Sequence, residues 1–182
     1  MTETSLFSLR LATIADSKAL CPLIERSALE LSEKYYERRQ VEGALKGAFG
    51  VDTSLIEDGT YFLAESGSEL IGCGGWSRRR TMFGGDKFNA RDAALLDPTS
   101  DAARIRAFFV HPAWARKGVG RAILERCETE AACAGFTSFE IMATLPGVPF
   151  YEACGYCGNE LAHFELADGV WIDFLPMTKR LT

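Results

Sequence analysis

The stretch Arg104-Ile-Arg-Ala-Phe-Phe-Val110 ends at His111-Pro112 and leads into Ala113-Trp-Ala-Arg-Lys-Gly-Val-Gly-Arg-Ala122. The first run is short, apolar and aromatic at its end, which predicts a buried strand that the proline terminates. After Gly120 apolar residues recur at helical spacing, and Gly135 supplies a C-terminal stop. The stretch therefore predicts a strand, a basic glycine loop and an amphipathic helix, in that order.

The loop has the composition of an anion-binding site. Gly118 and Gly120 lack side chains, so peptide N–H groups at the helix start can approach a ligand closely. Those N–H groups and the positive end of the helix dipole favour a phosphate or pyrophosphate. Positive side chains of the loop are Arg116, Lys117 and Arg121. The alternative is that the glycines only permit tight packing of the helix against a strand.

Two nucleotide-binding loops are excluded by their spacing. The chain has no Gly-x-x-x-x-Gly-Lys-Ser/Thr segment. The dinucleotide fingerprint Gly-x-Gly-x-x-Gly fails because Ile123 stands where the third glycine belongs.

The loop resembles the acetyl-CoA loop of the Gcn5-related N-acetyltransferases, whose signature is Gln/Arg-x-x-Gly-x-Gly/Ala. Gly118-Val119-Gly120 match it, and Ala115 departs from it where the family usually has Gln or Arg. The segment Phe150-Tyr-Glu-Ala-Cys-Gly-Tyr156 is similar to a second family block, Phe-Tyr-x-x-x-Gly-Phe. Two blocks in the right order are more specific than one. The resemblance is strongest over residues 104–156 and weak before residue 61.

The resemblance implies an α+β fold with three αβα layers, the acyl-CoA N-acyltransferase fold, around a central mixed, mostly antiparallel sheet. The predicted order of elements agrees with it: strand, two helices, three strands, helix, strand, short helix, two strands. We expect a single N-acetyltransferase domain over residues 1–182, a length that suffices for one sizeable core.

The resemblance also implies roles for individual residues, with acetyl-CoA as cosubstrate. Main-chain groups of Phe108, Phe109 and Val110 are expected to face the pantetheine arm and the thioester. The pyrophosphate is expected at Arg116, Lys117, Gly118, Val119, Gly120, Arg121 and Ala122. Tyr151 matches the tyrosine that places its hydroxyl near the sulfur, and at an ordinary pKa of about 10 it stays protonated and donates to the departing thiolate. The alternative for Tyr151 is a buried tyrosine with one structural hydrogen bond.

No general base is assigned. Family members often carry a carboxylate near the start of the strand before the loop, where this chain has Arg104 and Arg106. Other groups considered for the role are Glu30, Glu33, Asp101, Glu140 and His111.

The first third of the chain predicts one strand and a long helical region. Residues 7–11 alternate between apolar and other side chains, as in a half-buried strand. A helix is expected to begin within residues 13–16, with a kink or late start caused by Pro22, and to continue over residues 29–48. Two tyrosines there are interpreted as half-buried surface aromatics or as substrate contacts: Tyr35 and Tyr36.

The middle of the chain predicts a hairpin and a long loop. Residues 61–65 and 70–77 are strand-like, and the glycines at 72, 74 and 75 indicate a bulge or a close approach. The strand end near Trp76 is interpreted as opening onto a cavity or as packing under a helix. Residues 78–103 lack periodicity and suit a lid or mobile loop, with a short helix around 90–96. Arg78-Arg79-Arg80 either recognise an acidic acceptor or cofactor phosphates, or belong to a solvated loop.

The last part predicts a strand over 138–144, a short helix over 151–154 ending at Gly155, and a hairpin of residues 160–166 and 170–177. Three apolar residues near the C-terminus are interpreted as a homodimer contact or as the end of the sheet: Trp171, Phe174 and Leu175.

Composition excludes several classes of protein. The net charge of −5 provides no overall basic field for nucleic acid, which is therefore not an expected partner. The N-terminus lacks a signal-peptide pattern and no apolar run reaches membrane-span length, so we expect a cytoplasmic protein without a membrane partner. Six cysteines suit buried apolar positions in a reducing compartment. Cys154 and Cys157 have metal-site spacing, but the chain has only two histidines, and no metal is expected.

The sequence thus predicts an acetyl-CoA-dependent N-acetyltransferase that transfers acetyl directly to an amine of a small molecule, or of a protein or peptide. Two alternatives remain: a non-catalytic acyl-CoA-binding sensor or regulatory domain, and an interaction module whose loop is incidental.

Overall fold

A computed structural model describes residues 6–88, 91–166 and 169–181. Within these ranges seven strands form one sheet in the order β1-β2-β3-β4-β5-β7-β6. The strands are β1 (Ser8–Leu11), β2 (Tyr61–Ser66), β3 (Glu69–Ser77), β4 (Ala103–Val110), β5 (Ser138–Thr144), β6 (Ala162–Glu165) and β7 (Trp171–Arg180). Strands β4 and β5 pair in parallel and the other neighbouring pairs are antiparallel. The expected mixed, mostly antiparallel sheet is confirmed.

Helices cover both faces of the sheet, which confirms the three layers. They are α1 (Ser17–Ser32), α2 (Arg38–Ala44), α3 (Thr53–Glu57), α4 (Val119–Cys133) and α5 (Val148–Ala153). Successive residues of a strand point to opposite faces. Phe62 and Ala64 accordingly pack in one core with α4 and α5, whereas Tyr61 and Leu63 pack in the other core with α1, α2 and α3.

The helical region of the first third is shorter than predicted. Helix α1 starts at Ser17, directly after a 3₁₀ turn, and includes Pro22, so the late start is wrong. Pro22 is exposed, so the backbone bond that it removes lies on the solvent side of the helix.

The predicted continuous helix over residues 29–48 is also wrong, because α1 ends at Ser32 and α2 begins at Arg38. The chain between them turns inward and buries Tyr36, whose hydroxyl donates to the Asp173 carbonyl at 2.5 Å and accepts from the Leu145 amide at 2.8 Å. Tyr36 is therefore a structural link between α1, β7 and the end of β5. Tyr35 is about half exposed.

The glycines of β3 permit close approach, as predicted. A Cβ on Gly72 would lie 2.7 Å from Val119 of α4, and one on Gly74 would lie 2.7 Å from the Phe108 ring. The cavity expected near Trp76 is wrong, because this indole is 2 % exposed and packs edge-on against Phe136. Packing under a helix is the better description of this strand.

Residues 78–88 and 91–102 lie outside the helices and strands named above, but the two stretches bond to each other. The Arg80 amide donates to the Ala94 carbonyl at 2.9 Å, and the Leu96 amide donates to the Arg78 carbonyl at 2.8 Å. Because these backbone groups bond across the loop, residues 91–96 form no helix, and the predicted short helix is wrong there; residue 90 lies outside the described residues. Arg79 pairs with Asp58 at 2.6 Å instead of facing a ligand site.

The C-terminal elements follow the prediction with shifted bounds. Helix α5 starts at Val148, three residues before the predicted start, and Gly155 follows it at φ +89°. Strands β6 and β7 form the predicted antiparallel hairpin, and residues 167 and 168 of its predicted turn lie outside the described residues. Phe174 and Leu175 are buried and Trp171 is exposed, while the homodimer stays a prediction. In the described ranges no helix has the length and apolar character to span a bilayer.

Candidate active site

The strands β4 and β5 separate part-way along the sheet. They pair at Ala103↔Phe139, Arg104↔Glu140 and Ile105↔Ile141, after which β5 continues to pair with β7 as far as Thr144↔Phe174. A cavity of about 760 Å³ opens where they separate, with Phe108 and Val110 on one side and Met142 and Thr144 on the other. This opening exposes main-chain groups of β4 that a continuous sheet would use for pairing.

A bulge reorients the backbone of β4 at this opening. Pairing with β3 shifts between Cys73 and Gly75, and Ala107 at the bulge has φ +55°. The Tyr61 hydroxyl donates to the Ala107 carbonyl at 3.2 Å. Since the two ends of a trans peptide point in opposite directions, the Phe108 amide faces away from Tyr61.

Tyr61 reaches the bulge because β3 lacks a side chain between the two residues. A Cβ on Gly75 would lie 2.9 Å from the Tyr61 ring. Tyr61 is fully buried, and burial raises its pKa, with a further contribution from Cys73. The hydroxyl therefore stays protonated and remains a donor to the bulge.

The glycine loop forms the start of α4, which begins at Val119. Gly118 is the residue before the helix and has φ +85°, a conformation that favours glycine. A Cβ at Gly118 would meet nothing within 4 Å, so tight packing does not explain this glycine. At Gly120 a Cβ would make ordinary contact with Phe150 at 3.4 Å.

The first turn of α4 presents backbone donors. The Ala122 amide makes the first bond of the helix, to the Gly118 carbonyl at 3.0 Å. The amides of Val119, Gly120 and Arg121 precede it and have no carbonyl within the helix to bond, as in any first helical turn. Of these three residues, Gly120 and Arg121 line the cavity.

Most residues predicted to bind acetyl-CoA line this cavity: Phe108, Phe109, Val110, Arg116, Gly118, Gly120 and Arg121. Three are placed differently. The Lys117 ammonium lies 5.1 Å from the centre of the Trp114 ring, and the Val119 side chain packs in the core. The Ala122 amide is used within the helix. Their roles in binding stay predictions.

Tyr151 lies on α5 and lines the cavity beside Phe108, with ring centroids 6.3 Å apart in an edge-on arrangement. Its hydroxyl makes no hydrogen bond within the described part of the chain, so the alternative of a structural hydrogen bond has no support there. Burial, ahead of the neighbouring Cys127 and Cys154, raises the pKa of Tyr151 above its ordinary value. The group is a proton donor at neutral pH.

The far side of the cavity is apolar and aromatic. Phe83 lies on the loop after β3. Its ring packs at a tilt against Phe174 and edge-on against Phe164, with ring centroids 5.3 Å and 4.6 Å away. Phe49 packs edge-on against Phe109 at 6.0 Å. Sequence reasoning missed Phe49 and Phe83; the glycines that follow each of them, at 50 and at 84–85, were the available signal.

Arg106 is a candidate functional residue that sequence reasoning missed. It stands in the part of β4 where family members often carry a carboxylate base. The residue borders the cavity, but its side chain is 1% exposed and pairs with the fully buried Asp52. Its Nη2 also donates to the Gly84 carbonyl at 3.1 Å. Among the described residues, Nε and Nη1 of Arg106 have no hydrogen-bond partner. Burial lowers the pKa of Arg106, and Asp52 opposes that shift.

The groups considered as general base lie elsewhere. Glu140 pairs with Arg104, and Glu30 pairs with Arg26 at 2.7 Å. Asp101 accepts the Asp97 amide at 2.8 Å, and His111 accepts the Ala113 amide at 3.1 Å. Together with the exposed Glu33 they are absent from the cavity wall, which contains no Asp, Glu or His among the described residues.

Comparison with known proteins identifies this architecture. The model of the Acetyltransferase (GNAT) family matches residues 23–156. No curated protein matches the sequence. A GCN5-related N-acetyltransferase from Rhodopseudomonas palustris superposes with a TM-score of 0.72 at 18% identity, covering 100% of this chain and 99% of that one.

Among the similar structures, one was determined with coenzyme A and another with acetyl-CoA. The PaiA N-acetyltransferase from Thermoplasma acidophilum, in complex with coenzyme A, has a TM-score of 0.64 at 13% identity over 96% of this chain and 98% of its own. The protein yncA from Salmonella typhimurium, with acetyl-CoA, has a TM-score of 0.62 at 16% identity over 98% and 95%. The family match covers well over half of the chain, which therefore belongs to the GNAT family of acetyltransferases.

Proposed function

We propose that the protein transfers the acetyl group of acetyl-CoA directly to the amine of a small molecule. The observation that carries the proposal is one continuous cavity between the separated strands. It extends from the first turn of α4 to the apolar far side lined by Phe49, Phe83 and Phe174. Such a cavity brings an anionic carrier and a second substrate to the same stretch of β4.

The residues of the cavity suit coenzyme A. A pyrophosphate requires donors and positive charge, which the amides at the start of α4 and the guanidinium groups of Arg116 and Arg121 provide. The apolar side chains of Phe108 and Val110 suit the pantetheine arm. When bound, acetyl-CoA supplies an activated thioester.

The transfer forms a bond between the amine nitrogen and the acetyl carbon and breaks the carbon–sulfur bond. The amine loses one proton to water and the sulfur gains one, so the products are an N-acetyl amide and a free thiol. Tyr151 donates to the sulfur in this scheme because it lines the cavity and its raised pKa keeps it protonated; the phenolate then regains its proton from water. The amine arrives neutral, because no described cavity-lining carboxylate or imidazole removes its proton.

Release of free thiol from acetyl-CoA, measured on addition of each member of an amine panel, tests the proposal. We expect amine-dependent release by the wild-type protein and strongly reduced release by Gly120→Glu. A Cβ at Gly120 lies near Phe150 and Val110 of the cavity wall, so the longer side chain introduces negative charge where the pyrophosphate binds. Thr129→Glu on the exposed part of α4 is the matched control for charge.

A non-catalytic acyl-CoA sensor is the second candidate function. The observation that favours it is the lack of Asp, Glu and His among the described residues that line the cavity. The sensor binds acetyl-CoA but releases no thiol with any amine, whereas the enzyme does both.

A further inference from the structure

We propose that Ser27 of α1 binds the pantetheine arm of coenzyme A, and that its hydroxyl donates a hydrogen bond to an amide carbonyl of that arm. The Val110 amide then contacts the arm through Ser27 rather than directly. The inference rests on the proposed function, in which acetyl-CoA is the acetyl donor, and it adds a residue of α1 to the site that holds the donor.

The first support is the place of the Ser27 hydroxyl at the open edge of β4. The His111 amide donates to the Ile71 carbonyl of β3 at 2.9 Å. Because successive amides of a strand point to opposite sides, the Val110 amide points away from β3, to the side that β5 leaves. This amide donates to Ser27 Oγ at 3.1 Å, and Ser27 lines the cavity. The oxygen therefore lies in the opening, where a paired strand would have placed a carbonyl.

The second support is a donor that the Ser27 hydroxyl has left. A serine hydroxyl has one O–H donor and two lone pairs, and the bond from the Val110 amide occupies one lone pair. A hydroxyl inside a helix can donate to the carbonyl one turn earlier, as Thr129 does to Glu125 at 2.7 Å. Ser27 makes no such bond, and in the described ranges no acceptor takes its proton. The O–H remains available to a ligand in the opening.

The third support is that Ser27 departs from the apolar pattern of its helix. It is 5 % exposed on a face of α1 that otherwise buries a second serine and four apolar residues: Leu20, Leu23, Ile24 and Ala28. A buried hydroxyl costs free energy unless its hydrogen bonds are made. The Val110 amide accounts for one lone pair of this hydroxyl and leaves the O–H without a partner, so a ligand is needed to complete its bonding.

The path of the arm brings it to this hydroxyl. A Cβ at Gly120, in the turn proposed to bind the pyrophosphate, would lie 3.7 Å from Val110 Cγ2. The arm is attached to the pyrophosphate, and the thioester at its other end reaches Tyr151 in the same cavity in the proposed reaction. An arm that starts beside Gly120 therefore passes Val110 and Ser27. Its two amide groups lose water in the cavity and need hydrogen-bond partners from the protein.

The experiment compares coenzyme A with 3′-phospho-ADP, which is coenzyme A without the arm. Dissociation constants are measured by titration calorimetry, with 3′-phospho-ADP as a competitor of coenzyme A. We expect Ser27→Ala to weaken coenzyme A about fivefold, the equivalent of one neutral hydrogen bond, and to change the affinity for 3′-phospho-ADP less than twofold. With a reactive amine, the KM for acetyl-CoA should rise by a similar factor while kcat changes less than twofold, because the bond is made before and during transfer.

Tyr36→Phe is the matched control for a structural role. The Tyr36 hydroxyl also accepts a main-chain amide, that of Leu145 at 2.8 Å, and lies outside the cavity wall. This variant should lose a buried hydrogen bond and keep the affinity for coenzyme A. Thermal unfolding without ligand shows whether each variant is folded. If Ser27→Ala does not fold, Ser27→Cys replaces it, since a thiol is a weaker donor and should also weaken coenzyme A.

The outcomes separate this inference from the proposed function. If Ser27→Ala binds coenzyme A as tightly as wild type or more tightly, the arm bonds the freed Val110 amide directly and the inference is overturned. An equal loss of affinity for 3′-phospho-ADP, or the same loss in Tyr36→Phe, also overturns it, because the effect is then not on the arm. Wild-type protein that binds no coenzyme A and releases no thiol with any amine overturns the proposed function itself.

Discussion

Replacing Tyr61 by phenylalanine tests whether the bulge of β4 must be held in place for acetyl transfer. The substitution removes the hydroxyl that donates to the Ala107 carbonyl at 3.2 Å and leaves the ring in its packing. A left-handed conformation such as that of Ala107 costs about 1–3 kcal/mol in a residue with a side chain. In the wild type the hydrogen bond from Tyr61 contributes about 1 kcal/mol and offsets part of that strain. Without it the Ala107 carbonyl keeps the weak thiol donor of Cys73, whose Sγ lies 3.9 Å away.

If the strain is relieved by turning the 107–108 peptide, main-chain groups at the cavity lose their orientation. A loss of about 1–3 kcal/mol in transition-state stabilisation corresponds to a fall in kcat of roughly 5-fold to 150-fold. The KM for acetyl-CoA and the stabilisation by coenzyme A should change little, because the first turn of α4 is untouched. Tyr61 is in this account a positioning residue, and steady-state kinetics with thermal unfolding in parallel measure the effect.

Tyr36→Phe is the matched control. The Tyr36 hydroxyl is also buried and also donates to a carbonyl, that of Asp173, but it lies outside the cavity wall. This variant should lose stability by a similar amount, on the order of 1–3 kcal/mol, and keep its kcat. Wild-type kcat in Tyr61→Phe, or an equal fall of kcat in both variants, would refute the positioning role.

Three further predictions concern protons. Tyr151→Phe should lower kcat while keeping stabilisation by acetyl-CoA, since the hydroxyl acts on the departing sulfur; unchanged turnover removes the assignment. The rate below saturating acceptor should rise with pH until the free amine's own pKa is reached, because the described cavity wall contains no carboxylate or imidazole; a plateau set by a protein group near neutral pH contradicts this. Burial raises the pKa of Tyr36 to about 12 from an ordinary value of 10, so its contribution to stability is complete below pH 10 and is lost as pH rises toward 12. Chemical denaturation across this range should show a smaller decline in Tyr36→Phe than in wild type, and an identical decline contradicts the prediction.

The sequence predicts the part of the site that is local. The loop from Arg116 to Gly120 can be predicted because glycines, basic residues and the start of a helical pattern fall within a few residues. The structure places that loop at the start of α4. Tyr151 is readable by its motif, and the structure places it in the wall of the same cavity. The β2–β3 hairpin follows from two strand-like runs and the glycine turn between them, which are also local signals.

The parts that sequence reasoning misses depend on long-range contacts. Arg106 and Asp52 are 54 residues apart, and neither lies in a pattern that indicates their pairing. The break between α1 and α2 is explained by Tyr36, whose partner Asp173 is 137 residues away. Local periodicity over residues 29–48 favours one helix, and burial of one tyrosine under β7 overrides it. The aromatic far side of the cavity was missed for the same reason, because Phe49, Phe83 and Phe174 come together from three separate parts of the chain.

The most direct test of the central claim is thermal unfolding with and without saturating acetyl-CoA, for wild type, Gly120→Glu and Thr129→Glu. Ligand at 100 times its dissociation constant stabilises the folded state by about 2.7 kcal/mol, which is readily detected as a shift of the unfolding temperature. We expect such a shift in wild type and in Thr129→Glu, and its loss in Gly120→Glu. Absence of a shift in wild type, or a full shift in Gly120→Glu, would contradict the claim that the cavity at the start of α4 binds acetyl-CoA.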